Sequence, residues 1–253
     1  MDPRLRRHPL GFLQLVEKPS EDSLALYYSD EYYQTEGGSY QARYSDAELN
    51  AIRLRIVQRR TRPSELMGFV GRSLLDVGCG EGFVLASFAE VGWEVSGIDH
   101  SRFGVESMNP EVAHNVENGD LFELISNLLS RGATYDLLWL GNVLEHVLDP
   151  VGLLKSLRGL VAPGGCLVVI VPNDGNEYHE ELFRDGVVPE RFWIAVPDHI
   201  NYFTSESLVA IAAATGWRVG DLQGDFPIDL FLAHPDSNYV TDRKKGPAAH
   251  AAR

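Results

Sequence analysis

Leu74-Leu75-Asp76-Val77-Gly78-Cys79-Gly80-Glu81-Gly82-Phe83 is the stretch on which the reading of this chain turns. Ser73–Val77 is a short apolar run, the pattern of a buried strand. Three glycines at alternate positions follow, and Phe83–Val91 then reads as a helix. A glycine turn between strand and helix is where open α/β sheets bind ligands, at the carboxyl end of a strand. Glycine lets a ligand approach the main chain, and the helix start offers N–H groups without partners.

The spacing narrows the ligand. The dinucleotide fingerprint is G-x-G-x-x-G, and here the sixth position counted from Gly78 is Phe83. That departure argues against NAD. Asp76 stands just before the turn, where its charge would repel a pyrophosphate and would suit an amino group.

Outward from this point, strand and helix patterns alternate. Glu94–Ile98 reads as a strand ending at Asp99, and Val112–Val116 as a weaker one. A helix over Leu121–Leu129 follows, then an apolar strand over Tyr135–Leu140 and a helix over Pro150–Leu160. Pro163-Gly164-Gly165 forms a turn before the strongly apolar strand Cys166–Val171. This order predicts an α/β, Rossmann-like, mostly parallel sheet with helices on both faces. Trp217–Leu222 and Ile228–Ala233 read as two last strands, for a seven-stranded sheet in all. Upstream, a helix from Asp46 to Arg60 with Leu49, Ile52 and Ile56 on one face is limited by Pro63. Residues 172–203 fit no regular pattern, as in a functional lid. Thr204 or Ser205 caps a helix that ends at Gly216. The expected organisation is an N-terminal helical arm over 1–70, a ligand-binding domain over 71–236 with the lid insertion at 172–203, and a tail over 237–253.

Taken together, these motifs resemble the class I S-adenosylmethionine-dependent methyltransferases, of the small-molecule type seen in ubiquinone and deoxysugar or polysaccharide pathways. The resemblance is good over Ser73 to Val171 and loose elsewhere. It implies S-adenosylmethionine as cofactor, with Asp76, Gly78, Cys79 and Gly80 around the methionine end. It places the ribose hydroxyls at Asp99, with His100 beside it, and adenine at Asp120 and Leu121. A carboxylate suits a vicinal diol because it accepts from both hydroxyls. Asn142 belongs to the signature Leu140-Gly141-Asn142-Val143-Leu144-Glu145-His146-Val147, after the fourth strand of the family.

Methyl transfer is an in-line displacement that needs alignment and exclusion of water, plus a base when the acceptor is a hydroxyl. His199, in the lid sequence Pro197–Thr204, and His146 are the candidate bases. For His146 the competing reading is a structural hydrogen bond at a helix start. Tyr32, Tyr33, Tyr40, Asn173 and Tyr202 are the candidate substrate contacts, tyrosine offering an apolar face with a polar tip. No metal is expected, since the adjacent pair Glu145-His146 does not share a helix face.

The composition sets the partners. A net charge of −14 opposes nucleic acid. One basic segment, holding Arg43, Arg53, Arg55, Arg59, Arg60 and Arg62, reads either as a solvated helix face or as an anchor for phosphate or carboxylate on a substrate. No run of about 18 apolar residues exists, so no membrane span is expected. The two cysteines, Cys79 and Cys166, do not form a disulfide framework, which suggests a cytoplasmic protein. The expected acceptor is a small molecule, with a sugar or sugar nucleotide first and a quinone precursor or other aromatic compound second. A non-catalytic module that binds the cofactor is a third reading, and a homodimer is left open.

Overall fold

The structure is a computed structural model that describes residues 2–20, 23–24, 44–174 and 176–251. The chain forms two compact units that do not follow chain order. The larger comprises Glu17–Val171 and Thr215–Trp217; the smaller comprises Met1–Val16, Pro172–Ala214 and Arg218–Arg253.

Helix α1 (Asp46–Met67) precedes the central sheet of the larger unit. Ser45 caps it in a capping box, its hydroxyl accepting from the Glu48 N–H while the Glu48 side chain accepts from the Ser45 N–H. The helix does not stop before Pro63, as expected, but carries it inside and ends at the left-handed Gly68. Proline removes only one N–H from the ladder, and Gly68 supplies the stronger stop.

Five parallel strands follow: β3 (Ser73–Val77), β4 (Glu94–Asp99), β5 (Val116–Asn118), β6 (Tyr135–Gly141) and β7 (Val161–Ile170). They are preceded in chain order by β1 and β2 of the smaller unit. Their order is β5-β4-β3-β6-β7, so the chain steps outward from β3 to β5 and then restarts on the other side with β6. The reversal lies between β3 and β6, the switch point where such sheets take ligands. Helices α2 (Phe83–Ala89), α3 (Phe103–Met108), α4 (Leu121–Ser130) and α5 (Pro150–Leu157) connect the strands. Leu74, Leu75, Leu138 and Leu140 are fully buried between them. Phe88 of α2 meets Trp93 and Trp139 edge to face.

Three expectations are corrected here. The third strand is Val116–Asn118, because Pro110–Asn115 winds as a 3-10 helix behind its proline. The Pro163-Gly164-Gly165 turn lies inside β7, where pairing with β6 jumps from Tyr135↔Val161 to Leu137↔Cys166. The sheet has five strands among the described residues, not seven. Val219 and Leu222 are exposed, so Trp217–Leu222 buries no strand face. Ile228–Ala233 is a 3-10 helix, which sets Asp229 and Leu232 one turn apart.

The smaller unit holds a three-stranded antiparallel sheet of β1 (Leu5–Arg7), β2 (Leu13–Leu15) and β8 (Asn201–Tyr202). The segment expected to be irregular contains helix α6 (Glu177–Arg184), capped by Asn176, as well as β8. Helix α7 (Ser205–Ala214) follows as expected, and the tail ends in the short helix α8 (Gly246–Ala251). Among the described residues, no helix is long and apolar enough to cross a membrane.

Candidate active site

The expected cofactor residues in the larger unit are brought together by backbone bonds at the carboxyl edge of the sheet. Asp76 pairs with Gly97 on one side and Trp139 on the other. Beyond the strand, Gly78 N–H and Cys79 N–H both donate to the Ile98 carbonyl, at 2.8 and 3.2 Å. Gly78, Gly80 and Gly82 have φ of 74°, 51° and 77°, the left-handed region that glycine adopts without strain. The turn thus reverses in a space no ordinary side chain permits.

Asp99, at the end of β4, ties this turn to its neighbour. Its Oδ2 accepts from the Gly80 N–H at 2.8 Å and its Oδ1 from the Ser101 N–H at 3.0 Å. Its carbonyl accepts from the Gly119 N–H at 3.0 Å, which brings the start of α4 alongside. Asp120 caps that helix, accepting from the Glu123 N–H at 2.9 Å, and Leu121 is buried beneath it. His100 is exposed. Asn142 follows β6 with φ of 54° and donates its N–H to the Ile170 carbonyl at 2.9 Å.

Asp76 is 2% exposed and Asp99 is 6% exposed. Burial, and then the neighbouring charge of Asp99, pushes the Asp76 carboxyl well above the usual carboxylate range. Burial also pushes the Cys79 thiol up, so it is a packed thiol and not a nucleophile. Burial raises the Cys166 thiol to about 11.

Sequence reasoning missed two residues here. The hydroxyl of Tyr44 donates to the Glu81 carboxylate, 2.8 Å from Oε2 and 3.0 Å from Oε1. Asn109 Nδ2 donates to the Glu81 carbonyl at 2.7 Å. Tyr32, Tyr33, Tyr40 and Arg43 lie outside the described residues. The other arginines are engaged inside the unit. Arg60 donates to the Ser87 carbonyl and lies over the Phe88 ring at 5.6 Å, and Arg53 pairs with Glu90 at 3.1 Å. Arg62 pairs with Glu65 at 3.4 Å. Arg53–Glu90 and Arg62–Glu65 are exposed pairs that fit the solvated-face reading of the basic segment, while Arg60 packs against α2. His146 is buried in the turn after β6, its N–H donating to the Val143 carbonyl at 3.0 Å.

In the smaller unit, His199 forms a pair with a residue the sequence did not single out. Its Nδ1 lies 2.9 Å from Asp174 Oδ2. Tyr202 is buried and its hydroxyl donates to the His199 carbonyl at 2.8 Å, so it supports the histidine from below. Burial pushes the Tyr202 phenol far up. Asn173 is exposed, and its carbonyl accepts from Asn176 Nδ2. A second pair, buried His179 with half-buried Asp229 at 2.8 Å, joins α6 to the 3-10 helix, and Tyr239 donates to the same carboxylate.

A family model described as a methyltransferase domain matches residues 42–222. The chain is 28% identical over 192 residues to the ubiquinone biosynthesis O-methyltransferase of Paraburkholderia xenovorans strain LB400, covering 70% of this chain and 75% of that one. With the enzyme of the same name from Proteus mirabilis strain HI4320 it shares 35% identity over 122 residues, 46% of each chain. Among solved structures, the plantazolicin methyltransferase BpumL in complex with a monoazolic desmethylPZN analog and SAH superposes with a TM-score of 0.51. That likeness is 18% identical, covers 76% of this chain and 73% of that one, and shows the fold. The chain belongs to the methyltransferase-domain family, on the Rossmann-like fold of the class I S-adenosylmethionine-dependent methyltransferases.

The residues present fit that cofactor. Two buried carboxylates at the ends of adjacent strands suit a ligand carrying both an ammonium and a diol. Burial is the first cause of the raised Asp76 carboxyl; the second, the charge of Asp99, is one that a bound ammonium would offset.

Proposed function

We propose that this protein transfers the methyl group of S-adenosylmethionine to a hydroxyl of a small aromatic acceptor, such as a quinone precursor. The observation that carries the choice of a hydroxyl is the Asp174–His199 pair. With Asp174 accepting from Nδ1–H, the neutral imidazole keeps Nε2 as its acceptor, the form a general base needs. His199 takes the hydroxyl proton as the acceptor oxygen bonds to the methyl carbon and the methyl–sulfur bond breaks. The products are a methyl ether and S-adenosylhomocysteine.

Bound at the glycine turn, the cofactor supplies a methyl group made electrophilic by the sulfonium. In this reading Asp99 orients the ribose and Asp76 neutralises the ammonium. Asp120 and Leu121 flank adenine, and Asn142 borders the methyl end. His146 acts as a buried support for the turn after β6, not as the base. That the two bacterial relatives are ubiquinone biosynthesis O-methyltransferases supports an aromatic hydroxyl. The sugar-nucleotide expectation leaned on the family resemblance and on the arginine segment, where Arg60 packs against α2 and Arg53 forms an exposed pair with Glu90.

The test is a mass-spectrometric assay with S-adenosylmethionine against catechols and hydroxylated quinone precursors on one side and sugar nucleotides on the other. A methyl ether on the aromatic panel is expected. Methylation confined to the sugar panel would overturn the acceptor class.

A further inference from the structure

The glycine turn alternates Gly78, Gly80 and Gly82 with two residues that bear side chains, Cys79 and Glu81. Cys79 faces the core and is buried. Glu81 is held by two elements of the larger unit. Asn109, just after α3, fixes its carbonyl. Tyr44 fixes its carboxylate, with hydroxyl distances of 2.8 and 3.0 Å. Burial raises the Glu81 carboxyl and the Tyr44 hydrogen bond counters this, so the contact favours the ionised form.

Tyr44 is itself well placed to hold something. Its ring meets Phe83, the first residue of α2, edge to face at 5.6 Å. The next residue, Ser45, is the N-cap of α1. One tyrosine therefore spans the turn, the start of the helix after it, and the start of the helix before β3.

We propose that Tyr44 is a positioning residue for the cofactor, its hydroxyl clamping Glu81 so that the glycine turn is held in the shape that receives the methionine end. The inference rests on the cofactor reading of this site given above. Tyr44 touches neither the methyl group nor the acceptor; it acts through Glu81. A turn built on three left-handed glycines has little rigidity of its own, because glycine loses more backbone freedom on ordering than other residues. A charge-assisted bond at its one polar side chain supplies that order before the ligand arrives.

The test compares the full chain with Y44F, E81Q and the double variant. S-adenosylhomocysteine affinity is read by calorimetry, and KM and kcat for S-adenosylmethionine with an acceptor that the protein methylates. Losing one hydrogen bond to a charged group predicts about tenfold weaker binding in Y44F. KM for the cofactor rises by a similar factor while kcat at saturation holds. The double variant binds no more weakly than the worse single variant, since both act on the one charge-assisted contact, Y44F removing its donor and E81Q its charge. Wild-type affinity in a folded Y44F, equal falls in kcat and affinity, or additive losses in the double variant would overturn the clamp. If the wild-type protein itself does not bind S-adenosylhomocysteine, the cofactor reading falls first and the clamp with it.

Discussion

His199 Nδ1 and Asp174 Oδ2 lie 2.9 Å apart, joining two loops of the smaller unit 25 residues apart in the chain. In the proposed reaction the carboxylate orients the imidazole so that Nε2 can take the acceptor's proton. Loss of a general base typically costs 10²–10⁴ in rate. His199→Ala should lower kcat by about a hundredfold or more, with S-adenosylhomocysteine affinity unchanged. Asp174→Asn should fall in the same direction. Single-turnover rates check this, and wild-type turnover in either variant would remove the pair from the chemistry.

Asp99 holds the Gly80 N–H and is proposed to take the ribose. Asp99→Ala should weaken S-adenosylhomocysteine binding by roughly thirtyfold, about 2 kcal/mol. Calorimetric titration reads this directly, and unchanged affinity would place the ribose elsewhere.

Gly78 has φ of 74°, and a Cβ built on it would run into Val143 Cγ2. Gly78→Ala should cost about 1–3 kcal/mol in urea unfolding, from backbone strain and overpacking together. Adding Val143→Ala should recover the packing part alone. Full recovery in the double variant would mean that the backbone there carries no strain.

Asp76 titrates above its unfolded value, near 4. The folded state therefore keeps a proton that the unfolded state has released. Stability of the ligand-free protein falls from this group as pH rises from about 4 toward the folded value. Asp76→Asn should abolish that fall, so its advantage in urea midpoint over wild type widens from pH 4 to pH 8. A difference in urea midpoint that stays constant, or moves in favour of wild type, from pH 4 to pH 8 would contradict the sign.

Arg60 packs over Phe88 and donates to the Ser87 carbonyl. Arg60→Ala should cost about 1 kcal/mol of stability through lost packing and leave KM for the acceptor unchanged. A large rise in that KM would restore the substrate-anchor reading of the basic segment.

Much of the fold was legible because the deciding signals are local. Ser73–Val77 and Tyr135–Leu140 read as buried strands because parallel strands covered on both faces are largely apolar, with Asp76 and Asp136 the exceptions. The elements misjudged are those where local preference met tertiary context. Pro63 was read as a stop, but α1 packs on through it to Gly68. Ile228–Ala233 looks like a strand by composition, yet it winds as a 3-10 helix whose Asp229 pairs with His179. Asp76, Gly78, Gly80 and Asp99 could be singled out because each stands at a strand end within a known spacing. Asp174 carried no such mark.

The sequence by itself determined the parallel α/β sheet, the glycine turn and the acidic residues at its strand ends. Those features depend on residues within one strand–turn–helix unit, where backbone geometry follows from nearest neighbours. Only the tertiary structure decided the pairs Asp174–His199, Tyr44–Glu81 and His179–Asp229, which lie 25, 37 and 50 residues apart. A hydrogen bond needs its partners within about 3 Å, and chain order does not encode such a distance across loops. Packing of whole elements sets it, and the sequence expresses that packing only when all of them fold together.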